Sequence, residues 1–198
     1  MRQGGVFISG HAIVSADDRI GERNGDMPQG LRIEADWRRF QDELDRAALV
    51  VVGRIGHQAF PNVRNRRRLV LSGSATGLEQ RADAWWWNPA QASWPQVAST
   101  LLQEGGCVAV TGGRLVFDLF LTIGFDAFHL ARATRCAIPD GAPIFSACSE
   151  GRSAADVLRA SGLREPETIM LDAAQGATLQ VWSRAADHKG GSPPRIAP

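Results

Sequence analysis

Two short apolar segments, each ended by glycine, constrain the fold of this chain more than any other feature. Residues 50–54 read VVVGR, and residues 108–114 read VAVTGGR. A short apolar run without polar alternation is typical of a strand buried on both faces, which occurs in parallel sheets covered by helices. We therefore expect an α/β protein with a mostly parallel central sheet.

Amphipathic helical segments alternate with these strands. In residues 34–47, Trp37, Phe40 and Leu44 recur at spacings of three and four, so they share one face of a helix. No second hydrophobic core is indicated, which predicts one domain over residues 1–186 and a flexible tail over residues 187–198. Other predicted strands cover residues 6–14, 48–52, 68–72, 85–87, 107–110, 127–133 and 178–183; other predicted helices cover residues 90–104, 114–123 and 154–160; residues 73–84 are predicted as a loop.

The charge balance and the cysteines exclude several classes of protein. The 198 residues include 22 basic and 21 acidic side chains, a net charge of +1, which argues against a nucleic-acid-binding protein. No apolar run approaches the roughly 18 residues of a membrane span, and the N-terminal apolar stretch is too short for a secretory signal. The three cysteines lack C-x-x-C or zinc spacing, which predicts reduced thiols, no metal site and a cytoplasmic location.

Each of the two strand–glycine junctions is a candidate phosphate site. The N-terminus of a helix presents unpaired N–H groups and a partial positive charge, and glycine lets a phosphate approach the backbone. Arg54 and Arg114 follow the glycines and could each add a bidentate partner. At either junction alone, a simple tight turn is the more common explanation. Two such junctions indicate a dinucleotide, although neither has the G-x-G-x-x-G spacing of an ordinary Rossmann site.

Asp36 is the candidate catalytic carboxylate. It lies near the start of the predicted helix, beside Trp37 and one turn before Phe40. One interpretation is an acid that stabilises the first helical turn, a role that Glu34 could equally fill. The other is a carboxylate partly buried by aromatic rings, with a raised pKa and a hydrogen bond to substrate. The pattern does not decide between the two.

Three conspicuous features are interpreted as structural. In a strand, the rings of residues 85–87 (WWW) would point alternately to opposite faces, which favours core packing over ligand stacking. His57 and His129 are interpreted as hydrogen-bonded structural histidines rather than general bases. The basic residues between positions 64 and 68 are interpreted mainly as a solvated loop, part of which could contact an anionic substrate.

Six segments, taken in order, resemble the dihydrofolate reductase family. None is diagnostic alone, but six in the right order between residues 13 and 131 are specific. The segments are residues 18–21 (DRIG), 24–28 (NGDMP), 36–40 (DWRRF), 52–54 (VGR), 65–72 (NRRRLVLS) and 110–121 (VTGGRLVFDLFL). The resemblance implies a central, mostly parallel eight-stranded sheet flanked by helices, with NADPH and a dihydropteridine bound across its cleft.

The resemblance also implies the site residues. Asp36 would bind the amidine edge of the pterin and promote protonation at its N5 atom, while a hydride passes from the nicotinamide to C6. Arg66 would bind the carboxylate of a folate tail, and Arg54 the 2′-phosphate of NADPH. A mobile loop would carry Met27. The implied cofactor-binding residues are Ile20, Gly21, Gly53, Arg54, Ser72, Gly112, Gly113, Arg114, Leu115 and Phe117, and the implied substrate-binding residues are Ile13, Met27, Asp36, Phe40 and Arg66.

Three differences from the family pattern leave the substrate open. Gln29 stands where the family has tryptophan, Ala131 where it has threonine, and the stretch between Met27 and Asp36 is longer. The first expectation is NADPH-dependent reduction of dihydrofolate to tetrahydrofolate, or of a close dihydropteridine. The alternatives are the NADPH-dependent reductase of the ribosylamino-pyrimidine intermediate of riboflavin biosynthesis, and a non-catalytic nucleotide-binding module. Each implies a small-molecule partner, with neither nucleic acid nor membrane.

Overall fold

The computed structural model describes residues 5–184, which form strands and helices in alternation. The predicted tail over residues 187–198 lies outside the described residues. The strands are β1 Val6–Ser15, β2 Arg19–Gly21, β3 Leu49–Gly53, β4 Arg68–Leu71, β5 Leu78–Gln80, β6 Trp85–Trp87, β7 Gly106–Val110, β8 Ala127–Ala133, β9 Ala142–Pro143, β10 Leu163–Arg164, β11 Ile169–Asp172 and β12 Ala177–Arg184; the α-helices are α1 Glu34–Arg46, α2 Arg54–Ala59, α3 Trp94–Leu101, α4 Arg114–Ile123 and α5 Ala154–Ala160.

The central sheet has the order β10-β12-β8-β1-β7-β3-β4-β6-β5, and β11 pairs with β12. Its six inner strands, from β8 to β6, are all parallel, whereas β5, β10, β11 and β12 join antiparallel at the two ends. The α/β class and the mostly parallel sheet are therefore confirmed. The expected number of eight strands is wrong for the described residues, which contribute ten to this sheet.

The other differences from the predicted elements concern short segments. The predicted loop over residues 73–84 contains β5, which pairs with β6. The helix predicted over residues 90–104 is shorter, because Ser93 caps α3 and bonds reciprocally with Gln96. The strands β9 and β10 have two residues each, too few for any alternation of polar and apolar side chains to mark them.

The two apolar segments form strands at the centre of the sheet. Val51 of β3 and Val110 of β7 are fully buried and lie opposite each other in the parallel register. On one face of the sheet, four phenylalanines of α4, β8 and the turn between them pack together, and Phe125 and Phe128 meet edge to face. The predicted alternation of the tryptophans is confirmed, since Trp86 packs against Val70 while Trp87 joins the larger core. Both faces are covered, as the sequence pattern predicts.

Candidate functional site

A large cleft lies at the edge of the sheet where the inner parallel strands end. Its volume is 1940 Å³, and it reaches from β1 and α1 to the N-termini of α2 and α4. Ligands of parallel α/β sheets bind outside the carboxyl ends of the strands, which is where this cleft is. The structure brings all the implied site residues together there: Ile13, Ile20, Gly21, Met27, Asp36, Phe40, Gly53, Arg54, Arg66, Ser72, Gly112, Gly113, Arg114, Leu115 and Phe117.

The two strand–glycine junctions lie side by side in this cleft. Gly53 caps α2 and Gly113 caps α4, and the Gly53 N–H donates to the Gly112 carbonyl over 2.9 Å. Neither cap has a side-chain hydrogen bond. Because the first N–H groups of an α-helix have no intrahelical acceptor, the two junctions present adjacent donors to the cleft. That arrangement suits two linked phosphates.

Gly112 occupies a position that only glycine fits. Its φ is +95°, and a Cβ there would lie 2.7 Å from the ring of Phe117. That ring cannot give way easily, because Phe117 is fully buried and packs against Phe128. At Gly113 a Cβ would meet nothing nearer than Ile20, at 4.0 Å, so the backbone here borders open space. Phe117 therefore shapes the site from below, and the Gly112–Gly113 peptide, which is cis, forms the surface above it.

Two arginines at the junctions keep their guanidinium groups free of ion pairs within the described residues. Arg54 is exposed and donates only to the Gln58 side chain, over 3.2 Å. Arg114 is exposed at the start of α4. Ser72, after β4, bonds through its hydroxyl to that of Ser74. The part of the cleft at the N-termini of α2 and α4 thus has two positive charges without an ion pair in the described residues.

Asp36 is buried in the first turn of α1, with 7% of its surface exposed. Burial raises the pKa of the Asp36 carboxyl, and the neighbouring Arg39 charge and its hydrogen bond, 3.2 Å long, oppose that shift. Glu34 is instead exposed and pairs with Arg38. The structure thus supports the second interpretation of Asp36, a carboxylate held out of water beside the cleft.

A chain of polar side chains continues from Asp36 under the cleft. Arg39 donates from one terminal nitrogen to Asp36 and from the other to Nδ1 of His129, over 3.1 Å. The His129 ring stacks on that of His11 with centroids 4.5 Å apart, and Nε2 of His11 bonds to the Ser9 hydroxyl over 2.9 Å. We call Ser9, His11, Arg39 and His129 the polar floor.

Burial and the Arg39 charge keep both histidines of the polar floor neutral. Burial, chiefly, and then Arg39 lower the pKa of His129 to about 4. The pKa of His11 is lowered well below 6.5 by burial, then by His129 and Arg39. The interpretation of His129 as a hydrogen-bonded structural histidine agrees with this geometry.

Sequence reasoning missed His11 and Arg39 as site residues. Two signals could have found them. Strand alternation places His11 on the same face of β1 as Ile13, which was implied to bind substrate, and the helical spacing of three places Arg39 on the face of Asp36.

Arg66 lines the cleft, but its guanidinium group is already paired. It bonds to the Asp45 carboxylate over 2.8 Å and to the carbonyl and side-chain oxygens of Gln41. These contacts lower the pKa of Asp45, to which Arg64 also binds. Asp45 thus pairs with two of the four arginines between positions 64 and 68.

The loop that the family resemblance places over the nicotinamide is held at its start by strand pairing and a hydrogen bond. Arg19 and Gly21 of β2 pair with β9, and the Arg19 N–H donates to the Ser15 hydroxyl over 3.0 Å. Met27, at the other end, packs beside Leu31 and Ile33. Its mobility stays a prediction. Within residues 5–184, no helix is long and apolar enough to cross a membrane, and no group of metal-ligating side chains is assembled.

Solved structures share this architecture. A dihydrofolate reductase from Enterococcus faecalis, complexed with NADP(H), matches with a TM-score of 0.62 at 15% identity, over 90% of this chain and 96% of that one. A putative riboflavin biosynthesis protein from Shewanella sp. PV-4 matches with a TM-score of 0.62 at 16% identity, over 91% and 99%. This chain has the dihydrofolate reductase-like fold.

A third structure joins the same fold to a second activity. The diaminohydroxyphosphoribosylaminopyrimidine deaminase/5-amino-6-(5-phosphoribosylamino)uracil reductase of Thermotoga maritima matches with a TM-score of 0.59 at 18% identity. The match covers 91% of this chain but only 57% of that protein. Neither models of protein families nor curated proteins match the sequence. At these identities the dihydrofolate reductase-like fold is shared, and the substrate has to be argued from the cleft.

Proposed function

We propose that this chain is an NADPH-dependent reductase that transfers a hydride to a dihydropteridine, with dihydrofolate as the first substrate to test. One observation carries the proposal: the buried Asp36 carboxylate lies in the same cleft as two strand–glycine–helix junctions. The junctions suit a dinucleotide, and the carboxylate suits a heterocycle with N–H donors. A reductase of this type needs both in one enclosed space.

The residues at the junctions fit NADPH. Gly112 packs closely on the Phe117 ring, whereas a Cβ at Gly113 would enter the open space beside the backbone, where a phosphate can rest. Arg54 and Arg114 would hold the phosphates, Arg54 being the candidate for the 2′-phosphate. When bound, NADPH supplies the hydride, and the two arginines keep the cofactor oriented.

Asp36 would bind and orient the substrate ring. Its Oδ1 accepts from Arg39, whereas Oδ2 has no hydrogen bond with the described residues and is available to an N–H of the heterocycle. Because burial raises the pKa of Asp36, this carboxyl keeps its proton to higher pH than an exposed aspartate does. It can therefore promote protonation of the ring, as the family resemblance implies for the pterin N5 atom.

A second candidate is favoured by one observation on Arg66. A folate tail ends in carboxylates that need a free cation, but the Arg66 guanidinium is already bound to Asp45 and Gln41. A substrate without those carboxylates does not require Arg66 as their partner. The ribosylamino-pyrimidine of riboflavin biosynthesis carries a phosphoribosyl group instead; among the structurally similar proteins, one is named a 5-amino-6-(5-phosphoribosylamino)uracil reductase and another a putative riboflavin biosynthesis protein.

The proposal is tested by following the loss of NADPH absorbance with dihydrofolate and, separately, with the ribosylamino-pyrimidine. We expect Asp36→Asn to lower kcat/KM by about 100-fold or more, the usual effect of removing a catalytic acid group. Asp42→Asn is the matched control, since Asp42 is exposed on the same helix. Equal activity in Asp36→Asn and wild type would refute the role of Asp36. Tight NADPH binding without turnover of either substrate would favour a nucleotide-binding module.

The state of the cysteines supports a cytoplasmic enzyme. Cys107, Cys136 and Cys148 are all free thiols, and burial raises the pKa of each. Thiols of this kind persist in a reducing compartment. We therefore assign the proposed reductase to the cytoplasm.

A further inference from the structure

Asp36 and Arg39 form an ion pair that is largely held out of water. A terminal nitrogen of Arg39 lies 3.2 Å from Oδ1 of Asp36, and the two side chains are only 20% and 10% exposed. The pair of Arg38 and Glu34 on the same helix is instead 75% and 67% exposed. Because water and salt screen an exposed pair far more than a buried one, the charge of Arg39 acts strongly on Asp36.

His129 fixes the direction from which Arg39 approaches. The other terminal nitrogen of Arg39 lies 3.1 Å from Nδ1 of His129, on β8. A guanidinium group carries only donors, so Nδ1 of His129 accepts this hydrogen bond and carries no proton. The pKa of His129, about 4, keeps the ring neutral near pH 7. Because the guanidinium group is planar, bonds at both of its terminal nitrogens fix its orientation towards Asp36.

The two carboxylate oxygens of Asp36 differ in their contacts. Oδ1 accepts from Arg39. Oδ2 has no hydrogen bond with the described residues, yet it is not among their fully buried unpaired atoms, so it keeps some accessible surface. Asp36 lines the cleft. One oxygen is therefore held by the protein, and the other is the one that a ligand in the cleft can reach.

Arg39 is the charged group that acts on this carboxylate. Burial raises the pKa of Asp36, and within the described residues Arg39 is the one charged side chain that opposes this shift, through its charge and its hydrogen bond. Beyond Arg39, β8 and β1 contribute the stacked rings of His129 and His11, and both are neutral near pH 7. Without the Arg39 charge, burial would be unopposed and Asp36 would keep its proton to higher pH.

We propose that Arg39 is a positioning residue for Asp36 and that His129 holds Arg39 in place. Arg39 anchors Oδ1, which leaves Oδ2 for an N–H of the substrate heterocycle, and its charge sets the pH range in which Asp36 is ionised. Burial and the Arg39 charge act in opposite directions, so their balance decides at which pH the carboxyl changes from carrying a proton to accepting an N–H. This inference rests on the proposed function for the presence of that substrate.

The first test follows the ionisation of Asp36 itself. The carboxyl-carbon magnetic resonance signal of Asp36 is assigned by its absence in Asp36→Asn and is followed as the pH is changed. We expect Arg39→Met, which keeps an unbranched side chain but removes the charge, to move the midpoint of this titration to higher pH. Arg39→Lys keeps the charge and should leave the midpoint closer to that of the wild type. Arg38→Met is the matched control, since Arg38 is exposed on the same helix, and should not move the midpoint.

The second test measures the reaction over the same pH range. The loss of NADPH absorbance is followed with dihydrofolate and with the ribosylamino-pyrimidine. Arg39→Met should lower kcat/KM at about pH 7 by about tenfold, as expected for one lost hydrogen bond to a charged group, and should displace the pH profile in the same direction as the carbon titration. Arg39→Lys should recover part of the activity, and Arg38→Met should match the wild type.

His129 is tested with two variants that differ in one acceptor. His129→Gln supplies a side-chain oxygen that can accept from Arg39, whereas His129→Phe keeps a ring against His11 but has no acceptor. We expect His129→Phe to lower kcat/KM, though less than Arg39→Met, and His129→Gln to resemble the wild type. Because Arg39 also lowers the pKa of His129, the Arg39→Met profile is repeated in the His129→Gln background, where that ring cannot titrate. NADPH affinity and the thermal midpoint show that each variant is folded.

Two results would overturn the inference. They are the same midpoint for Asp36 in Arg39→Met and the wild type, or equal kcat/KM in Arg39→Met and Arg38→Met. Equal activity of His129→Phe and His129→Gln would overturn the part assigned to His129. The proposed function fails separately: if neither substrate is reduced, the hydride transfer is wrong, whereas the titration of Asp36 still decides whether Arg39 controls its ionisation.

Discussion

Replacing His129 with glutamine should remove a pH dependence of stability that the polar floor creates. The pKa of His129 is lowered from 6.5 in the unfolded chain to about 4 in the folded protein, mainly by burial and then by Arg39. Between these pH values the unfolded chain holds more protons than the folded protein. The contribution of His129 to the free energy of unfolding is therefore fully present above pH 6.5 and is lost as the pH falls towards 4.

The size of this effect follows from the shift in pKa. At about 1.36 kcal/mol per pKa unit, a change from 6.5 to about 4 amounts to about 3 kcal/mol, a large part of the stability of a typical domain. Glutamine does not titrate, and its side-chain oxygen can still accept from Arg39. His129→Gln should thus keep the contact and lose the pH dependence.

The measurement is urea unfolding of wild type and His129→Gln from about pH 7 down to about pH 4.5. Carboxylates with lowered pKa values, such as Asp17 and Asp83, also destabilise the folded protein in acid, but both proteins share them and they cancel in the difference. His11 also remains in both, but because His129 helps to lower its pKa, the contribution of His11 cancels only in part. The wild type should lose stability faster than the variant. Parallel curves would show that His129 is not a buried neutral group, and the reasoning would fail.

Three further changes have defined outcomes. Gly112→Ala should destabilise the protein by about 2 kcal/mol, since the φ of Gly112 is +95° and the new Cβ would contact the buried Phe117 ring. The same variant should weaken NADPH binding, measured by calorimetry. Unchanged NADPH affinity would argue against a phosphate site at this backbone. Gly10→Ala should lower the thermal midpoint by the equivalent of about 1–3 kcal/mol because the Cβ meets the buried Phe128 ring, while Gly73→Ala, in open space, should leave the midpoint unaltered. Arg54→Gln should weaken NADPH about tenfold and spare NADH, which lacks the 2′-phosphate, and an equal loss for both cofactors would remove Arg54 from that role.

Local pattern predicted most of the parallel core and helix α1. The segments at residues 50–52 and 108–110 are apolar without alternation because both faces of β3 and β7 are covered. Consecutive apolar side chains therefore indicate burial on both faces. In α1, the spacing of Phe40 and Leu44 reports the face that packs on the sheet. Such signals are local, because a residue's neighbours in sequence are also its neighbours in a helix or strand.

The polar floor depended on contacts between distant parts of the chain. His11 meets His129 because β1 and β8 pair in a register that joins residues 118 positions apart, and no local periodicity encodes a register. The pairing of Arg66 with Asp45 could not be predicted for the same reason, since Arg66 lies just before β4 and Asp45 lies in α1. The short strands β10 and β11 were not predicted either, because they are defined by their pairing with β12 and not by a local pattern.

The sequence by itself thus determined the fold class, the two glycine junctions and the position of Asp36 on α1, because these follow from hydrophobic periodicity and backbone chemistry within a few residues. Tertiary structure alone decided whether that carboxylate was exposed or buried and which cations were already paired. It also decided which buried polar atoms have no hydrogen-bond partner within the described residues. Burial and pairing depend on segments brought together by packing, and those segments set the electrostatics of the site.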